Sequence, residues 1–163
     1  MVFSYYARLS RKQKKIYEKS DEITSIRLTD ATLIIPLIEE LQQALEAEDR
    51  KEIEKLASAI TRAMTNSLKV SSVRMKVLAV RPSNDWGELH GLYEPVEDNK
   101  RACISVWMRT ARHKKVVAFR TFFRTILHEL CHHLDYEMLK LEDSFHTEGF
   151  FKRESSLFKQ LVN

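Results

Sequence analysis

Apolar side chains at Leu33, Leu37, Leu41 and Leu45, and again at Ile53, Leu56, Ile60 and Met64, recur every three or four positions. This is the repeat of a helix with one buried face. It predicts one long or two shorter amphipathic helices across residues 32–68, with the charged stretch 46–54 as the interruption. At Val70 the period shortens. Val73, Met75, Val77 and Ala79 alternate with Arg74, Lys76 and Leu78, the two-residue repeat of a strand, as far as a turn cluster at 81–85. Residues 86–95 hold a second strand candidate, broken by Gly87 and Gly91, and residues 102–108 a third, after the turn-like Glu97, Asp98 and Asn99. Helical spacing returns from Val116 through Phe119, Phe122, Ile126, Leu130, Leu134 and Met138, to about Lys140. Glu142, Asp143 and Ser144 break that helix, and a last one is expected over 147–162. Strands set between runs of helices predict an α+β fold with a small, mostly antiparallel sheet.

Composition narrows the class. The chain has 163 residues, 44% hydrophobic and 31% charged, with only three Gly and three Pro. This suits one domain with a real core and excludes a low-complexity or collagen-like chain. No apolar run approaches the roughly 20 residues of a membrane span. Cys103 and Cys131 make neither a disulfide framework nor the paired cysteines of a zinc ribbon. The first eight residues lack the apolar stretch of a secretory signal, so a cytoplasmic protein with reduced thiols is expected. Within residues 1–30, Arg8, Arg11, Lys12, Lys14, Lys15 and Lys19 make a basic lead-in, read as a mobile arm or an exposed helix.

The chemistry lies inside the long helix. His128-Glu129-Leu130-Cys131-His132 matches H-E-x-x-H, a pattern this composition would produce by chance with a probability of about 0.02. Residues four apart share a helix face, so both imidazoles converge on one ion. Glu129 is turned so that its carboxylate reaches a water activated by that ion and serves as general base. A catalytic zinc usually takes three protein ligands. His146, 14 residues past His132, is the foremost candidate for the third, with Glu148 and Glu154 as carboxylate rivals. His133 is about 100° round the helix and cannot join the same ion. Asp135 is either a surface aspartate or near enough to orient a ligand imidazole, and Cys131 reads as core.

The stretch 125–161 resembles the zincin metallopeptidases, most closely the SprT/Spartan and WLM group. In those families a third His follows H-E-x-x-H after a short turn, with Phe four positions on. This chain has His146-Thr147-Glu148-Gly149-Phe150. The resemblance implies a zincin-like fold, zinc held by His128, His132 and His146, and Glu129 as base. Thr147 departs from the Gly often found there, and a minimal gluzincin with Glu148 or Glu154 as third ligand is the near alternative.

Three further features bear on substrate. By order in the chain, residues 102–108 fit the edge strand that lines a zincin cleft and pairs with an extended peptide, with an interior strand as the alternative. His90 and Tyr93 are candidate donors to an oxyanion. Residues 100–120 carry seven Lys or Arg and no acid, which reads as a solvated basic loop or, alternatively, as a contact for acidic peptides or DNA phosphates. The expectation is a zinc-dependent peptidase acting on a protein or peptide. The alternative is a zinc-stabilised basic nucleic-acid-binding domain without hydrolysis.

Overall fold

The structure, a computed structural model, describes residues 2–163. After a short 3-10 helix, Ser4–Arg8, come α1 (Arg11–Glu22), α2 (Ala31–Glu46) and α3 (Arg50–Ser67). Strands β1 (Arg74–Val80), β2 (Ser83–Asn84), β3 (Gly87–Glu88), β4 (Gly91–Glu94) and β5 (Cys103–Arg109) follow, and α4 (Phe119–Glu137) and α5 (Glu148–Leu161) complete the chain. The fold is α+β.

Helix ends sit where the local chemistry satisfies orphan amides. The Ser10 hydroxyl accepts from Gln13 N and the Gln13 side chain from Ser10 N, closing a capping box on α1. Asp49 caps α3 and Thr147 caps α5. The charged interruption near residue 48 is thus a tight turn between two helices, with Glu48 in the left-handed region (φ 56°). The basic lead-in is helical from Arg11. Tyr17 and Ser20 of α1 are buried, while its Lys and Arg side chains lie on the outer face.

The sheet departs from expectation in two respects. Its order is β1-β5-β4, and β1 runs parallel to β5 with Arg74 opposite Cys103 and Val80 opposite Arg109. The antiparallel pair, β4 with β5, is the shorter one. The sheet is therefore mixed, not mostly antiparallel, because the chain between β1 and β5 carries the β2–β3 hairpin and β4 before returning. Second, β5 is the central strand, buried along nearly its whole length. It is therefore not an edge strand; β1 and β4 lie at the two edges.

The two outer edges are treated differently. Along β1, Glu54 of α3 accepts from Val77 N and Arg50 donates to Val77 O, each at 2.9 Å, so helix side chains occupy the strand's outward backbone groups. Among the described residues no strand pairs with the outer edge of β4. An open edge is a template for another extended chain. Beneath it, α4 packs its Phe122, Phe123, Ile126, Leu127, Leu130 and Leu134 into the core.

Candidate metal centre

α4 sets His128 and His132 one turn apart, and the loop between α4 and α5 brings His146 across to them. The Nε2 atoms of His128 and His132 each lie 3.1 Å from Nε2 of His146. Nitrogens around a tetrahedral zinc at about 2.0–2.1 Å would be spaced a little over 3 Å apart, so this donor set fits the ion.

The hydrogen bonds behind the rings fix the tautomers. His128 Nδ1 lies 2.8 Å from Glu154 Oε1; the carboxylate can only accept, so Nδ1 carries the proton and Nε2 presents a lone pair. His132 Nδ1 lies 2.7 Å from Ser144 Oγ, and that hydroxyl donates to Asp135 Oδ2, also at 2.7 Å. Having given its proton to Asp135, Ser144 accepts from His132 Nδ1–H, and again Nε2 is left free. Burial, with His128 and His146 alongside, pushes the His132 imidazolium down to about 3; burial and His128 also lower His146, with Glu154 opposing. Neutral imidazoles are what a metal needs.

Support continues inward. Asp135 Oδ1 accepts from Arg153 Nη2 at 2.9 Å, both side chains being fully buried, and Arg153 also donates to Ser20 O and Ile23 O at the end of α1. Tyr5 Oη donates to the carbonyl of His146 at 2.6 Å, and Ser20 Oγ meets Thr147 Oγ1 at 3.1 Å. Gly149 is needed here, since a Cβ would sit 2.5 Å from Asp21 O. The N-terminal segment thus holds the loop that presents His146. Phe150 forms an apolar floor, its ring centroid 4.8–5.3 Å from all three imidazoles.

Among the residues singled out from sequence, Asp135 reaches His132 through Ser144 rather than directly. Glu154 stands behind His128, and Glu148 pairs with Lys152 at 3.2 Å. His133 is fully buried: its Nε2–H donates to Ser71 O, so its Nδ1 accepts from Tyr93 Oη at 2.8 Å. That bond turns the Tyr93 hydroxyl toward His133, while its ring stacks on His132 with centroids 6.4 Å apart. Tyr93 therefore buttresses a ligand, and the oxyanion candidate at the cleft is His90. Cys131 is fully buried, where desolvation pushes its thiol well up. Sequence reading missed Ser144 and Arg153; the only signal was a hydroxyl two residues before a candidate ligand.

A cleft of about 640 Å³ opens beside the three histidines, lined on the α4 side by Arg120, Arg124, Thr125, His128 and Glu129 and on the rim by Glu88, His90 and Gly91. Burial pushes the Glu129 carboxyl above the usual range, with His128 opposing and Glu154 reinforcing the shift. Gly91 permits the approach of rim to helix, for a Cβ there would lie 2.7 Å from Thr125 Cγ2 and 2.9 Å from Glu129 Oε1. Gly91→Ala is expected to displace the Glu129 side chain, and a crystal structure of the variant checks it; an unmoved carboxylate would show that the contact does not position Glu129.

The cations of residues 100–120 do not form one patch. Lys100 and Arg101 lie at one end of β5, and Arg109, Arg112, Lys114 and Lys115 at the other, about 20 Å away along a seven-residue strand. Arg109 is also paired with Glu48 at 2.7 Å. No helix among the described residues is long and apolar enough to cross a membrane. In comparisons with protein-family models, curated proteins and solved structures, nothing matches this chain.

Proposed function

We propose that this protein is a zinc-dependent peptidase of zincin-like architecture, with His128, His132 and His146 as ligands and Glu129 as general base. The observation that carries the reading is the convergence of three imidazole Nε2 atoms, two with their Nδ1–H groups committed to Glu154 and Ser144, beside a cleft that Glu129 lines. Zinc bound there would polarise a substrate carbonyl and acidify water. The chain's own residues supply the rest. The outer edge of β4 pairs with an extended peptide and lays its backbone along the cleft. Glu129 takes the proton of the attacking water and returns it to the departing amide nitrogen, so that water adds across the C–N bond. His90, on the rim, is the side chain available to donate to the carbonyl oxygen as it becomes an oxyanion. The alternative of a nucleic-acid-binding domain without hydrolysis has less support, since the basic segment is divided between the two ends of β5.

The reading is tested by metal analysis of the purified protein beside a protease assay on an unstructured protein substrate. Hydrolysis that chelation abolishes and zinc restores is expected; a zinc-loaded protein inert on such substrates would overturn it. A finer test concerns Ser144. Ser144→Ala removes the acceptor that orients His132 and should weaken zinc binding by about 10–100-fold. Chelator competition measures it, and an unchanged affinity would remove Ser144 from the metal's support.

A further inference from the structure

The cleft has a cationic far end, and we infer that it selects peptides carrying an acidic side chain two to four residues C-terminal to the scissile bond. The inference rests on the peptidase reading above and names the substrate class. Arg120, Arg124 and His128 follow one another at intervals of four on the cleft-lining face of α4. The two arginine side chains therefore leave the helix about 6 and 12 Å along its axis from the proposed metal ligand. An extended peptide covers those distances in about two to four residues. Both guanidiniums lie over the Phe158 ring, at 4.9 Å for Arg120 and 4.4 Å for Arg124, which holds them in place without neutralising them.

Their charge is incompletely answered within the chain. Arg124 meets Glu154 Oε2 at 3.3 Å, but the other oxygen of that carboxylate is committed to His128. Arg120 pairs with no acidic side chain among the described residues; its Nη1 donates to the main-chain oxygen of Asn163 at 3.1 Å. On the facing rim, Glu88 is engaged with Ala111 N and lies 3.7 Å from Arg81 and 3.8 Å from His90. The cationic surface also continues outward. Arg124 donates to Ser155 Oγ at 3.0 Å, and Ser155 lines a second groove with Arg27, Lys152 and Lys159 in which no described acidic side chain takes part, although Lys152 pairs with Glu148.

Chain direction assigns the arginines to one side of the bond. Gly91 lies against Thr125 and Glu129, and Tyr93 against His132, His133 and Tyr136, so β4 runs in the same sense as α4. Antiparallel addition, the more stable ladder, carries a peptide in past Tyr93 and out past Gly91. Its C-terminal half then meets Arg124 and Arg120.

The test uses the zinc-loaded full chain and three fluorogenic peptides identical except for Glu, Gln or Lys at the second to fourth positions after the cleaved bond. The expected order of kcat/KM is Glu, then Gln, then Lys, with Glu over Gln by about fivefold at low salt, the size of one accessible charge pair, and a narrowing gap as salt rises. Arg120→Glu should reverse the order, so that the Lys peptide is cleaved faster than the Glu peptide. Equal rates on all three peptides would overturn the inference and leave the peptidase reading standing; cleavage of none would overturn both. Equal rates together with a single-stranded oligonucleotide bound through Arg120 would reassign the arginines to phosphate recognition, which also overturns it.

Discussion

Glu129→Gln is expected to keep its zinc and its fold and to lose peptide hydrolysis by about 10²–10⁴-fold, the contribution of a positioned general base. The carboxamide has nearly the same shape, so the close contact under Gly91 survives, but it cannot take a proton from water. The same group sets the acid side of the wild-type pH profile. Burial raises the Glu129 carboxyl above the ordinary value of 4.5. Activity needs the ionised form, so it should fall away as pH drops through the Glu129 titration, which bound zinc, a positive charge near the carboxylate, pulls down against the effect of burial. Steady-state kinetics across pH on the wild type, beside metal analysis of the variant, check both statements. Undiminished turnover in Glu129→Gln would remove Glu129 as the base.

The second large effect concerns the metal. His146→Ala is expected to weaken zinc binding by far more than the roughly 10–100-fold anticipated for Glu154→Gln, which disturbs only the acceptor behind His128. The variant should still fold, because the Tyr5 hydroxyl holds the main-chain carbonyl of residue 146 and the Thr147 cap is retained. Circular dichroism and chelator competition on both proteins report fold and affinity separately. Loss of metal from Glu154→Gln with retention in His146→Ala would make the site a gluzincin and the ligand set proposed here wrong.

Four of the five helices were legible as apolar periodicity, and α1 at least as one of two readings of the basic lead-in. These features depend on neighbours within a turn, and so does the pairing of His128 with His132. The position of Glu129 beside them follows from the 100° step of a helix. The role of Glu154 illustrates the limit. Its carboxylate was equally eligible as ligand or as orienting group until α5 was packed against α4, because distance across two helices is not a local quantity.

The sheet marks the same boundary. Alternation identified β1, but strand partners are chosen by contacts far apart in the chain, and nothing between residues 74 and 109 states that the last strand lies in the middle, parallel to the first. That decision moved the open edge from β5 to β4 and divided a cationic run that is continuous in sequence. What the sequence by itself determined is an α+β chain with two imidazoles one helical turn apart and a carboxylate one residue after the first, since helical spacing is independent of the remainder of the fold. Tertiary structure alone decided that His146 joins them, that Ser144, Asp135 and Arg153 stand behind His132, and that Gly91 lets the rim close on Glu129. Buried polar groups must find partners wherever packing leaves them, and Gly91 is needed only because the fold has already brought the rim strand against side chains of α4.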